Sequence, residues 1–201
     1  MIGPGDVQWM TAAGGIIHEE YHSPGFARSG GPFRMVQLWV NLPAKDKMAP
    51  AGYQGILNVD IPVVKLPNRA GAVRVIAGNY RGTKGAARTF TPVNVWDLSV
   101  NAGADATLDL PAGHTAMIIV LTGHVTVGGR QEAGEAEMVL LDREGGGIGI
   151  HADGDAKLLV LTGEPIDEPI VGYGPFVMNS EAEIRQAAED FNSGRFVTAA
   201  R

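Results

Sequence analysis

The sequence predicts an all-β protein of short antiparallel strands, closed at its C-terminal end by one helix. Three observations carry this reading. The first is turn chemistry: 28 glycines and 12 prolines in 201 residues are too many for a helical protein and suit strands joined by turns. The second is regular spacing. Between residues 73 and 161, apolar runs recur at short intervals, separated by Gly-containing turns, the pattern of a sandwich or barrel. The third is Ser180-Glu-Ala-Glu183, a capping box followed by Ile184, Ala187, Ala188 and Phe191 at helical spacing.

Composition narrows the function classes. At 45% hydrophobic residues the chain can bury a real core. A net charge of −6, with no basic cluster, argues against nucleic acid or an anionic membrane as a direct partner. The absence of cysteine excludes disulfides, thiolate metal sites and a cysteine nucleophile, and fits a reducing compartment. No signal peptide and no apolar run long enough to span a bilayer is present, so a cytoplasmic location is expected.

From the N-terminus, Gly3-Pro-Gly-Asp6 is a turn and Val7 to Met10 a short apolar run. A Gly-rich turn at Ala13-Gly14-Gly15 leads through Ile16-Ile17 into His18-Glu-Glu-Tyr-His22. If that stretch is a strand, its period of two puts His18, Glu20 and His22 on one face. Imidazole beside carboxylate is a ligand pair for Fe, Ni, Mn, Cu or Zn, although a polar strand face is commonly just solvated. Ser23 to Pro32 reads as a loop. Phe33 to Leu42 reads as a strand, with Val36, Leu38, Val40 and Leu42 on a core face and Met35, Gln37, Trp39 and Asn41 on the other. Trp39 is expected in the core. Lys45-Asp46-Lys47 reads as a solvated charge run. Gly55 to Lys65 is extended, and Pro62 and Pro67 limit it to an edge or broken strand.

The second half supplies strands at Val73–Ala77, Val93–Val100, Thr107–Leu110, Ala116–Leu121, His124–Val127, Ala136–Leu141, Ile148–Ile150 and Ala156–Leu161. In the tail, the apolar stretch Tyr173–Met178 precedes a helix that ends at Asn192-Ser-Gly194, with Glu181 and Arg185 able to pair along its exposed face. His114, His124 and His151 share no ligand-like spacing and read as surface or turn histidines.

Several segments together resemble the pirin family, in order and over nearly the whole chain: Gly3-Pro-Gly-Asp-Val-Gln-Trp-Met-Thr11, Gly15-Ile-Ile-His-Glu-Glu20, Gln37-Leu-Trp-Val-Asn-Leu-Pro43 with Lys45-Asp-Lys-Met48, Gly163-Glu-Pro-Ile-Asp-Glu-Pro-Ile170, Gly174-Pro-Phe-Val-Met-Asn179, Glu183-Ile-Arg-Gln-Ala187 and Gly194-Arg-Phe196. The resemblance implies two cupin barrels, the double-stranded β-helix fold, with the first incomplete. It implies an N-terminal cupin domain over 1–66, a C-terminal one over 67–165, and a tail and helix over 166–201 that pack across the barrels.

The resemblance also implies a metal in the first barrel, held by three His and one Glu. His18 and Glu20 match two of those ligands and His22 matches none. The other two belong to a His-x-His motif that precedes this point in the family, so Met1 falls more than halfway through the first barrel. In the second barrel the corresponding positions fall on Asp109, Pro111, Thr115 and near Ile150, which implies a structural role there. Family membership further implies a quercetin 2,3-dioxygenase-like activity on a flavonol-type substrate, with one divalent transition metal, iron foremost and Ni, Mn, Cu or Zn as alternatives. Glu20 is the candidate carboxylate base. With half the ligand set, little activity or no bound metal is expected. The alternatives are a non-catalytic scaffold with a regulatory protein partner, or a fragment of a longer pirin. Open strand edges lead to an expectation of homo-oligomers.

Overall fold

The computed structural model describes residues 1–195. Of the segments above, Phe196 lies outside the described residues. In chain order the strands are β1 (Val7–Thr11), β2 (Gly52–Ile56), β3 (Val63–Lys65), β4 (Gly71–Ala77), β5 (Asn79–Tyr80), β6 (Thr83–Lys84), β7 (Val93–Val100), β8 (Asp105–Asp109), β9 (Thr115–Thr122), β10 (Val125–Val127), β11 (Gln131–Ala133), β12 (Met138–Leu141), β13 (Gly147–Ala152), β14 (Ala156–Gly163), β15 (Val171–Tyr173) and β16 (Phe176–Met178). The helices are α1 (Pro24–Ser29) and α2 (Glu181–Asn192). The all-β expectation with a C-terminal helix is met.

The chain forms two compact units. One comprises Met1–Gly3, Gln8–Gln54 and the chain from Ile166 onward; the other comprises Pro4–Val7 and Gly55–Pro165.

The second unit is a pair of antiparallel sheets. A six-stranded sheet runs β12-β9-β14-β7-β4-β3, and a four-stranded sheet runs β11-β10-β13-β8. Strand β3 lies at an edge, where Pro62 next to it removes no ladder hydrogen bond. Between the sheets lies the core, with Trp96, Leu98 and Val100 of β7 meeting Val73 and Val75 of β4, Leu108 of β8, Ile118 and Val120 of β9, Ile150 of β13 and Leu158 and Val160 of β14. Alternation in β8 is clean: Ala106 and Leu108 are buried while Asp105, Thr107 and Asp109 are exposed. Apolar residues spaced by two fill the space between the sheets, which is why the strands were readable from the chain.

Polar ties fix the edges of this unit. Arg74 of β4 lies opposite Asp97 of β7 and donates to its carboxylate. Its other guanidinium nitrogen donates to the Gly5 carbonyl at 2.6 Å and to Asn58 Oδ1 at 2.7 Å. The Asp6 carboxylate accepts from the Asn58 amide at 2.7 Å. The turn at residues 4–6 is thus held by side chains far along the chain.

The first unit departs from the sequence reading in four places. Residues 18–22 belong to no strand, so period-two alternation does not align His18, Glu20 and His22. The loop expected over 23–32 contains α1, with Pro24 at its first turn and the Ser23 hydroxyl accepting from the Phe26 amide at 3.2 Å. The strand expected over 33–42 does not form: this segment joins no sheet, and an apolar pattern becomes a strand only where a neighbour takes up its main-chain hydrogen bonds. Trp39, expected in the core, is 68% exposed, and Val36, Leu38 and Val40 are exposed as well. Finally, Lys47 is buried, not solvated.

The tail of the first unit behaves as read. Strands β15 and β16 form a hairpin. Ser180 caps α2: its hydroxyl accepts from the Glu183 amide at 3.3 Å and donates to the Glu183 carboxylate at 2.8 Å. Glu181 and Arg185 pair at 3.7 Å along the exposed face. The buried stripe is narrower than expected, since Ile184 is buried but Phe191 is exposed and lies edge-on to Phe176 at 6.4 Å.

Candidate functional site

His18 and Glu20 lie in the irregular segment after β1, reached through a turn in which the Gly15 amide donates to the Ala12 carbonyl at 2.7 Å. Gly15 adopts φ 126°, a conformation open to glycine and strained for other residues. Nδ1 of His18 stands 4.0 Å from Oε1 of Glu20, and both side chains are 44% exposed. The next carboxylate, Glu19, accepts instead from the Tyr21 hydroxyl at 2.6 Å, and this bond pushes the Tyr21 phenol above its ordinary value. His22 turns to a different environment, with its ring 5.2 Å from Phe26 and 5.1 Å from Phe33. Among the described residues, no group of three or more His, Cys, Asp or Glu side chains is placed to hold a metal ion. The donor types at His18 and Glu20 suit a divalent transition metal; their number does not complete a site.

The histidines of the second unit are all engaged in other ways. Nδ1 of His114 lies 3.3 Å from the Thr162 hydroxyl, which also accepts from Asn94 at 2.8 Å. His124 bonds Asp153 at 2.6 Å, and His151 bonds Asp105 at 2.9 Å on the outer face of the four-stranded sheet. Asp109, Pro111, Thr115 and Ile150 offer no ligand set.

The structure brings together a cluster that the sequence reading missed. Lys47, 6% exposed, donates from Nζ to Asn41 Oδ1. Glu168 accepts from the Ala44 amide at 2.6 Å and from Asn179 Nδ2 at 3.1 Å. Glu183 accepts from the Asn179 amide at 3.1 Å. Burial pushes the Lys47 ammonium below its ordinary value, and the charges of Glu168 and Glu183 partly offset that. Four of the separated segments that carry the family resemblance therefore meet around one buried lysine. The signal available in the sequence was Pro43 and Met48 flanking the charges, an apolar setting for a run read as solvated.

These features define a class: a two-sheet β-barrel unit joined to a smaller unit that carries a His/Glu pair. The chain belongs to the pirin family. The model of the pirin C-terminal cupin domain matches residues 95–197, and the pirin model matches residues 1–40. A Pseudomonas aeruginosa protein with the provisional name quercetin 2,3-dioxygenase is 57% identical over 198 residues, covering 98% of this chain and 69% of the relative. Human pirin is 34% identical over 199 residues, covering 96% of this chain and 66% of that protein. Among solved structures, a quercetin 2,3-dioxygenase from Acinetobacter baumannii superposes with a TM-score of 0.94 at 52% identity, over 97% of this chain and 68% of that one. The cupin fold of the chain follows from these matches.

Proposed function

We propose that this chain is a pirin of the metal-dependent quercetin 2,3-dioxygenase kind, in which His18 and Glu20 are two of the metal ligands and Glu20 doubles as the carboxylate base toward a flavonol-type substrate. The observation that carries the reading is the His18–Glu20 pair, 4.0 Å apart on one short exposed segment. The names of the relatives support the reaction class and a metal cofactor in general; iron is the first candidate of this reading. A bound metal would supply Lewis acidity to the substrate oxygens. Among the described residues these two donors do not complete a ligand set. The 201-residue chain is expected to bind metal weakly and to turn over flavonol slowly or not at all.

The test is elemental analysis of protein purified without chelator, beside His18→Ala and Glu20→Ala, together with quercetin turnover. Sub-stoichiometric metal and negligible turnover fit the proposal. Near one metal per chain, lost in His18→Ala, with brisk turnover would overturn its expectation of a weak site. Stoichiometric metal unchanged in both variants would remove the ligand assignment itself.

A second reading is a scaffold that acts by protein contact, including contact with a regulatory partner. It is favoured by the exposed apolar side chains of the first unit, among them Ile17, Tyr21, Phe33 and Trp39.

A further inference from the structure

The core between the two sheets of the second unit is apolar except at one end. There Asn94 and Trp96 share the inward face of β7, Thr162 of β14 lies opposite Asn94, and Ala116 of β9 lies opposite Thr162. A hydrogen-bond relay runs through this end. The Asn79 amide donates to Asn94 Oδ1 at 2.8 Å, and Asn94 Nδ2 donates to the Thr162 hydroxyl at 2.8 Å. Among the described residues, the Thr162 proton has one acceptor within reach, Nδ1 of His114 at 3.3 Å. A buried hydroxyl that donates to nothing is costly, so His114 accepts here and carries its own proton on Nε2. The half-buried imidazole is therefore a neutral donor at the rim, oriented by the strands behind it.

One step along β7 stand two donors without acceptors. Tyr80 and Trp96 are each 1% exposed, and their rings meet edge-on at 5.0 Å. Neither the Tyr80 hydroxyl nor Trp96 Nε1 has a hydrogen-bond partner among the described residues. Burial raises the Tyr80 phenol, so it keeps its proton. Protein interiors pair nearly all such groups, and two adjacent unpaired donors call for an explanation. Tyr80 is carried by the β5–β6 hairpin, which is lightly held on its outer side. Arg81 at the hairpin turn lies over the Tyr80 ring at 5.4 Å and meets the exposed Asp109 carboxylate of β8 at 3.6 Å, an ion pair of the weak surface kind.

We propose that this end of the second barrel binds a small uncharged carbonyl compound with an apolar body, whose oxygen accepts from the Tyr80 hydroxyl and Trp96 Nε1. The donors select the class. An indole N–H can only donate, and a buried protonated phenol beside it has its own proton to place, so the ligand must bring an acceptor. A carbonyl oxygen has two lone pairs for two donors. A carboxylate would enter apolar surroundings uncompensated, because Arg81, which lies over the Tyr80 ring, is already paired with Asp109. Leu98, Ile118 and Val160 supply the apolar wall. The site makes no use of His18 or Glu20, and it lies in the barrel to which the family resemblance gives a structural role.

Acetophenone is the probe, and ethylbenzene, of the same shape without the oxygen, is its control. The chain has three tryptophans, so its proton–nitrogen correlation spectrum carries three indole signals, and Trp9→Phe and Trp39→Phe identify that of Trp96 by elimination. Acetophenone should move the Trp96 signal to a saturating plateau, and ethylbenzene should bind about tenfold more weakly. Tyr80→Phe, which removes a hydroxyl that holds nothing in the fold, should weaken acetophenone by about the same factor. His18→Ala should leave its affinity unchanged. An unmoved Trp96 signal overturns the proposal and leaves ordinary water as the partner of the two donors. Equal affinity for ethylbenzene, or a Tyr80→Phe chain that binds as the wild type does, overturns it as well. Affinity lost in His18→Ala would place the probe in the first unit and overturn it too.

Discussion

Arg74 and Asp97 face each other across β4 and β7, and their ion pair sits at the hub of a network that also holds the Gly5 carbonyl and Asn58. Both side chains are mostly buried, so neither can be removed alone without stranding the other. Arg74→Met is expected to destabilise the second unit by about 3–5 kcal/mol, because it leaves the Asp97 carboxylate buried with only Lys157, at 3.9 Å, to answer it. The double variant Arg74→Met/Asp97→Leu should recover a large share of that loss. Urea unfolding of the four members of the cycle measures the coupling, and an additive cycle would refute it.

Lys47 should make itself felt in alkaline solution. Its folded pKa lies below the ordinary value of 10.5, so between the two values the unfolded chain holds more protons than the folded one. The contribution of this group to stability therefore rises with pH in the alkaline range approaching 10.5. The expected outcome is a wild-type stability curve that gains on that of Lys47→Met as pH increases toward 10.5. Parallel curves in thermal melts from pH 8 upward would exclude the effect.

Tyr80 has the opposite sign. Burial is the main cause that raises its phenol above 10.0, so the folded state keeps the proton that the unfolded state releases. That stability is complete below pH 10.0 and is lost as pH climbs through the folded value. The Tyr80 hydroxyl is buried without a hydrogen-bond partner among the described residues. Tyr80→Phe should then be neutral to stabilising by about 1 kcal/mol at neutral pH, and should flatten the alkaline loss. A loss of stability at neutral pH would show that the hydroxyl is in fact satisfied.

Gly78 marks the place where β4 ends and the β5–β6 hairpin begins. Its φ is +79°, and a Cβ there would stand 2.0 Å from Asn94 Oδ1 and 2.4 Å from the Val93 carbonyl oxygen. Asn94 Oδ1 accepts from the Asn79 amide at 2.8 Å, so it cannot withdraw without releasing the hairpin. Gly78→Ala is expected to destabilise by about 3 kcal/mol or more, measured by the denaturant midpoint at unchanged slope.

Much of the second unit was legible along the chain, because β7, β8, β9 and β14 bury side chains at a spacing of two and turn at glycines that the sequence displays. Strand β11 was not legible: Gln131–Ala133 has almost no apolar signal and is a strand because β10 pairs with it. The candidate ligands His18 and Glu20 were legible as residue types through their motif. Their geometry was not, since the strand inferred for them depended on neighbours that do not pair with residues 18–22.

The sequence by itself determined the all-β class, the capped C-terminal helix and family membership, because each of these rests on local periodicity or on residues in fixed order. Tertiary structure decided the rest. Residues 33–42 carry a strand's pattern, yet they join no sheet and 33–40 lie exposed, because a strand is completed by its partner and not by its own side chains. Lys47 carries a surface residue's chemistry and lies buried, where Asn41 Oδ1 accepts from its ammonium and the charges of Glu168 and Glu183 partly offset the cost of burial. Arg74 ties Gly5 and Asn58 to Asp97 across long stretches of chain, a relationship that no window of sequence contains.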